Sequence, residues 1–171
     1  YVFFNKDMEE ALIRQNKIER ELRKALAEPL QEIIYVEFQP QVDIISGKIL
    51  GFEALARMKS EDLGHVSPME FIPIAEEKLL IVELGNFVLK KSCEFIKTLN
   101  QHNIFNQWVA INISAAQILR SDFVKTILGI IEECDCDKSQ IELEITESLL
   151  IDNFELVNNQ LDRLRRFGIK I

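Results

Sequence analysis

Three short apolar stretches contain polar side chains that a buried strand has no ordinary use for: Glu53 and Arg57, then Asn112, then Glu142 and Glu144. Successive side chains of a strand point to opposite faces. Over Ile49 to Arg57 this groups Leu50, Phe52, Ala54 and Ala56 on one face and Gly51, Glu53, Leu55 and Arg57 on the other. Over Trp108 to Ser114 the bulky face is Val109, Ile111 and Ile113, which leaves Ala110, Asn112 and Ser114 on a face with room for a ligand. Over Ile141 to Ile145 the apolar face is Ile141, Leu143 and Ile145, with Glu142 and Glu144 opposite and Glu147 at the following strand-to-helix junction. Central strands of a parallel sheet covered on both faces are nearly continuous in apolar residues. Carboxylates combined with a side-chain amide form an oxygen-only donor set, which suits a hard divalent ion such as Mg2+ or Mn2+. The same residues also admit a purely structural arrangement in which Glu53 pairs with Arg57, Asn112 caps the next turn and Glu142 lies on a solvated edge. Pattern alone leaves both open.

Alternating strands and helices must hold these residues. Apolar residues at Met8, Ala11, Ile18, Leu22 and Ala25, with Gln15 between them, trace a heptad seam, which predicts a helix ended by Pro29. Glu10 with Arg14 and Glu19 with Arg23 would support it at i,i+4. A rigid interdomain helix and a coiled-coil dimer explain the seam equally well. Ile34 to Phe38 and the run through Ile45 should form a hairpin with the strand at Ile49 to Arg57 across Ser46-Gly47. Ser67-Pro68-Met69-Glu70 has the form of a capping box opening a helix to about Leu79. Leu84 to Leu99 continues as an amphipathic helix, followed by a strand at Trp108 to Ile113 and a second capping box at Ser114 to Gln117. Asp122 to Glu133 and Phe154 to Phe167 are further helices flanking the strand at Ile141 to Ile145, with Gly168 closing the last helix. Each element therefore brings a polar residue to the carboxyl end of a strand, where active sites of parallel barrels and open α/β sheets lie.

Composition narrows the chemistry. With 28 acidic and 20 basic residues the net charge is −8, which excludes a protein holding DNA or RNA mainly by phosphate neutralisation and leaves room for a small phosphorylated ligand held through a metal. No run reaches the ~18 apolar residues of a membrane span. Cys93, Cys134 and Cys136 are too sparse for a disulfide framework and point to a reducing cytoplasm; with two histidines and no C-x-x-C, zinc is disfavoured. The 171 residues fall short of the roughly 250 of a closed (β/α)8 barrel. Tyr1 to Phe4 read as a strand without a partner before it and Ile169 to Ile171 as the start of another, so the chain is expected to be part of a longer protein.

The residue strings resemble one family closely. Gln39-Pro40-Gln41-Val42-Asp43, Ser46-Gly47-Lys48-Ile49-Leu50-Gly51-Phe52-Glu53-Ala54-Leu55-Ala56-Arg57, Val66-Ser67-Pro68 with Phe71 to Glu77, Val109 to Ala115, and Leu143-Glu144-Ile145-Thr146-Glu147-Ser148 follow the order of the EAL domains, bacterial phosphodiesterases of cyclic di-GMP. Residues 1 to about 28 resemble, over a much shorter match, the last strand and exit helix of a GGDEF domain in the same parent chain, with the EAL part at 29–171. The resemblance implies an α/β fold, a partial (β/α)8 TIM-like barrel with an antiparallel first strand, truncated to about its first half behind an N-terminal linker helix. It implies that Glu53, Asn112 and Glu144 ligate Mg2+ or Mn2+, with Glu53 catalytic, that Gln39, Leu55 and Arg57 contact cyclic di-GMP, and that Glu147 supports the ligands. The family's aspartate pair, its water-activating lysine and its later glutamate positions would follow Ile171. The implied reaction is hydrolysis of cyclic di-GMP to linear pGpG in the cytoplasm, with any membrane anchor supplied by upstream segments. A non-catalytic cyclic di-GMP-binding or regulatory domain is the alternative. The 171-residue chain itself is expected to be inactive and, with open sheet edges, to form homo-oligomers.

Overall fold

The computed structural model describes residues 6–27, 33–145 and 154–171. The strand expected at Tyr1 to Phe4, the helix stop at Pro29 and the Thr146-Glu147-Ser148 string lie outside the described residues. Two compact units emerge, one of residues 1–35 with 56–84 and the other of 36–55 with 85–171.

In the first unit the helix α1 (Lys6–Ala27) packs on α2 (Pro68–Glu77). The heptad seam divides along its length: Ile18, Leu22 and Ala25 are buried, while Met8 and Ala11 are exposed. The expected Glu10–Arg14 pair does not form. Arg14 Nε donates to Glu70 Oε2 at 2.6 Å across the helix pair, and Glu10 takes Lys6 at 3.9 Å instead. A carboxylate that meets the planar guanidinium edge-on holds it better than one constrained to the same helix face. Glu19 and Arg23 pair at 2.8 Å as expected. Ser67 Oγ accepts from the Met69 amide at 3.3 Å, so the predicted N-cap is present, and the Glu70 carboxylate that takes Arg14 also accepts from the Ser67 backbone amide. A short strand, β3 (Gly64–Val66), pairs antiparallel with the far end of β2 (Ile49–Ser60), which runs beyond the predicted Arg57. Gly64, at φ +65, supplies the left-handed residue that this tight turn requires.

The second unit holds most of the sheet, whose main path runs in the order β1 (Ile34–Val42), β2, β4 (Trp108–Asn112), β5 (Ile141–Glu144). Asp43 and Lys48 close the β1–β2 turn through an N–H to carbonyl bond of 2.9 Å, and a connection this short joins only antiparallel strands. At its tip Ile44 and Ile45 are fully exposed. β2 with β4 and β4 with β5 are parallel, and Lys170 bridges Glu142 in parallel, so the strand expected at Ile169 to Ile171 has begun. Val109, Ile111, Ile141 and Leu143 are buried on one face of the sheet, as alternation predicted. On that face Phe38 stacks on Phe95 of α3 (Ile81–Gln101) at 3.9 Å, and Phe52 meets the same ring edge-on at 5.0 Å. After β4, the short α4 (Ala115–Ile118) carries the predicted capping contact, the Ser114 amide donating to Gln117 Oε1 at 3.0 Å. The amphipathic α5 (Phe123–Glu133) and α6 (Phe154–Arg166) pack on each other, buried Gln160 donating to the Arg120 carbonyl at 2.9 Å. The result is an α/β fold, a partial (β/α)8-like barrel with an antiparallel first strand.

Gly51 lies opposite Trp108 in the β2–β4 register, and a Cβ added there would meet Trp108 Cε2, Nε1 and carbonyl oxygen at 2.8 Å. Backbone cannot yield as a flexible side chain does, so Gly51→Ala should destabilise the chain by about 1–3 kcal/mol. Urea unfolding followed by Trp108 fluorescence measures this; an unchanged midpoint would mean that the indole and the β4 backbone move aside freely.

Candidate active site

Register decides which polar side chains meet. Glu53 sits beside Ala110, Ala110 beside Glu142, and Asn112 beside Glu144, all in parallel pairing. Residues paired across parallel strands share a face, and so do residues two apart. Glu53, Asn112, Glu142 and Glu144 therefore project from one side of the sheet, opposite the buried aliphatic side. Asn112 and Glu144 are the last residues of their strands, which puts the cluster toward the carboxyl ends.

The Asn112 amide nitrogen donates to Glu53 Oε1 at 2.8 Å. Asn112 thus engages Glu53 rather than capping the turn that follows, and Gln117 meets the Ser114 amide there. With its nitrogen committed, the amide oxygen Oδ1 remains as an acceptor. Glu144 is half-buried, and burial first, then the charges of Glu53 and Glu142, hold its carboxyl above the usual carboxylate range. Like charges confined to one face repel one another and disfavour ionisation, whereas a bound cation would favour it. The donors are all hard oxygens: Glu53, Glu144 and Oδ1 of Asn112. Among the described residues no three His, Cys, Asp or Glu side chains form a metal-holding group, so this set consists of two carboxylates and an amide. Such a partial set suits an ion that keeps several waters and shares its sphere with a phosphate.

The remaining predicted residues are more scattered. Gln39 is exposed on β1, and Leu55 is half-buried two positions beyond Glu53 on the same face of β2. Arg57 belongs to the first unit, where its Nη1 donates to the Ala56 carbonyl at 3.1 Å. Glu147 lies outside the described residues. Two neighbours were given no role at the site from the sequence. Glu142, assigned to a solvated edge in the structural alternative, is half-buried beside Ala110 on the acidic face. Lys170, bridged to Glu142, lays its ammonium 4.2 Å from the centre of the Trp108 ring. Its signal was present: Ile169-Lys170-Ile171 is a fourth apolar stretch with a charged residue inside.

An α/β barrel segment with an acidic, oxygen-rich cluster at the carboxyl ends of its parallel strands is the class of protein that fold and site define. The chain belongs to the EAL domain family, whose model matches residues 19–171. It is 33 % identical to a cyclic di-GMP phosphodiesterase of Pseudomonas aeruginosa over 98 % of this chain and 28 % of that protein. It is 32 % identical to an uncharacterized signaling protein of Caulobacter vibrioides over 100 % of this chain and 20 % of that protein. Among solved structures, the PaMucR phosphodiesterase in complex with c-di-GMP superposes with a TM-score of 0.83 at 27 % identity, covering 90 % of this chain and 61 % of that one. The chain thus spans between a fifth and three-tenths of these two curated relatives' length. Among the described residues no helix is long and apolar enough to cross a membrane.

Because the folded-state pKa of Glu144 is raised, the fold favours its protonated form. The stabilisation is present below the ordinary carboxylate range and is lost as pH rises through the raised value. Glu144→Gln, which keeps the shape and removes the charge, should therefore raise the thermal midpoint of the metal-free chain at pH 7 and change it little at pH 4. A lowered midpoint at pH 7 would show that the carboxylate is compensated by a cationic partner.

Proposed function

We propose that this chain supplies the front of a metal-dependent phosphodiesterase site that hydrolyses one phosphodiester bond of cyclic di-GMP to give linear pGpG. The observation that carries the reading is the Asn112–Glu53 contact at 2.8 Å beside Glu144 on the carboxyl-end face. Its support from relatives is the named activity of the Pseudomonas aeruginosa protein and the ligand of PaMucR. Glu53, Asn112 and Glu144 would hold Mg2+ or Mn2+, which when bound lowers the pKa of a coordinated water and neutralises phosphate charge. Asn112 orients Glu53 through its amide nitrogen and offers its oxygen as a ligand. Glu144 is pre-set for a cation by a site that penalises its bare charge. Gln39, Leu55 and Arg57 are assigned to the substrate on family resemblance, and the planar guanidinium of Arg57 can bond two phosphate oxygens at once. Glu147 is assigned a supporting role toward the ligands on the same basis.

Turnover is assigned to the whole protein, since the chain spans 28 % of the length of the Pseudomonas aeruginosa phosphodiesterase it resembles. The 171-residue chain is expected to be inactive alone and to self-associate through its open sheet edge. A GGDEF domain in the parent and a cytoplasmic location complete the proposal, supported by the short resemblance of residues 1 to 28 and by the three free thiols.

In the parent protein with Mn2+, Glu53→Gln should lower cyclic di-GMP hydrolysis more than about 100-fold, beyond the range typical of losing a partner outside the coordination sphere. Chromatographic quantitation of pGpG checks this, and undiminished turnover would refute the assignment of Glu53. In the 171-residue chain Mn2+ should raise the thermal midpoint, and Glu53→Gln should abolish that rise.

A further inference from the structure

At the amino ends of β4 and β5, opposite the end that carries Asn112 and Glu144, a cavity of about 390 Å3 opens between the loop before Trp108, the 3-10 turn at Lys138–Gln140 and Lys170. Carboxamides fix its shape. Gln140 is buried; its Oε1 accepts from Asn100 Nδ2 on α3 at 3.0 Å, and its Nε2 donates to the Gln107 carbonyl at 3.0 Å. Gln107 sends its own Nε2 toward the Ile49 carbonyl at 3.5 Å, which sets the orientation of the amide, and its Oε1 is left buried without a hydrogen-bond partner. Buried polar atoms are nearly always paired, so an unpaired acceptor on a residue that lines a cavity calls for a donor from outside the chain.

Two opposite charges line the same space. Asp137 Oδ1 accepts from the Ser139 amide at 2.9 Å and from the Ser139 hydroxyl at 2.8 Å, which leaves Oδ2 to accept from a ligand. The Lys170 ammonium lies 4.2 Å from the centre of the Trp108 ring, and a ring face engages only one side of a group with three N–H donors. Phe105 adds an apolar ring that is about half exposed. These groups select a ligand by charge. A simple anion would meet Asp137, and a metal ion or other cation would meet Lys170. A wholly apolar compound would displace water from the amides and from Gln107 Oε1 without replacing its hydrogen bonds. A zwitterion satisfies every group at once.

We propose that this cavity binds a free α-amino acid with an apolar side chain. Its carboxylate meets Lys170, its ammonium is shared by Asp137 Oδ2 and Gln107 Oε1, and its side chain packs on Phe105. Both polar contacts are charge-assisted, the stronger class of hydrogen bond. The volume lies at the lower end of the several hundred Å3 usual for small-ligand sites. Gln107 and Gln140 immediately precede the strands that end at Asn112 and Glu144, and Lys170 is bridged to Glu142. An occupant would therefore join the entries of the strands that present the acidic face. The proposal does not depend on the reaction assigned to that face.

Isothermal titration calorimetry of the 171-residue chain with L-leucine, L-methionine and L-phenylalanine should show one site per chain for at least one of them. For an amino acid that binds, the amide, which lacks the carboxylate, and the N-acetyl derivative, which lacks the ammonium, should each bind about tenfold or more weakly, the scale of losing a hydrogen bond to a charged group. Lys170→Met, which keeps an unbranched side chain against Trp108, should weaken the amino acid by a similar factor and leave the amide unchanged. Asp137→Asn, which retains an acceptor for the turn, should weaken the amino acid and leave the N-acetyl derivative unchanged. Each contrast compares two ligands on one variant, so a general loosening of the fold does not imitate it. No binding tighter than about 10 mM by any of the three, equal binding of the amino acid and its derivatives, or equal losses of both ligands in a folded variant would overturn the proposal.

Discussion

The parallel register of β2, β4 and β5 is the constraint on which the acidic face depends. Because side chains alternate with a period of two, slipping any one strand by a single residue would send its polar set to the helix side and its aliphatic set to the solvent. Val109, Ile111, Ile141 and Leu143 resist such a slip, since each is removed almost wholly from water. Gly51 against Trp108 sets the position of β2 along β4 by steric fit. Packing on both sides of the sheet thereby fixes where the acidic side chains stand.

That chemistry opposes the stability of the fold. Glu53, Glu142 and Glu144 share one face, and Glu144 registers the strain as a carboxyl reluctant to ionise. Asn112 occupies the central strand between them. An aspartate there would add a further negative charge to the face, whereas the amide gives Glu53 a hydrogen-bond donor and still offers an oxygen. A neutral ligand in the middle and charged ones at the flanks keeps the donor set hard while limiting repulsion.

Much of this could be read before the fold was known, and the exceptions share a cause. Alternation within a strand reports burial directly, so the faces of Trp108 to Ser114 and Ile141 to Ile145 were readable, as was the Gln117 cap, which depends on residues three apart. Partner choice across elements was not. Arg14 had a suitable acid on its own helix and took Glu70 from another. The three-residue β3 was too short to show a period, with Gly64 its single cue. Alternation already put Glu142 on the face of Glu144, but its pairing with Ala110, level with Glu53, is a fact of strand order rather than local pattern. Among the site residues, Glu53, Asn112 and Glu144 stood out because polar groups in apolar strands need a reason, while Arg57 met the same criterion and falls in the other compact unit.

The antiparallel first strand has a practical corollary. Its turn enters β2 at that strand's amino end, so the exposed Ile44 and Ile45 project from the end of the sheet opposite Asn112 and Glu144. The hairpin tip is thus an address remote from the chemistry: a fluorophore or spin label attached there would follow tumbling and association of the chain without entering the acidic face.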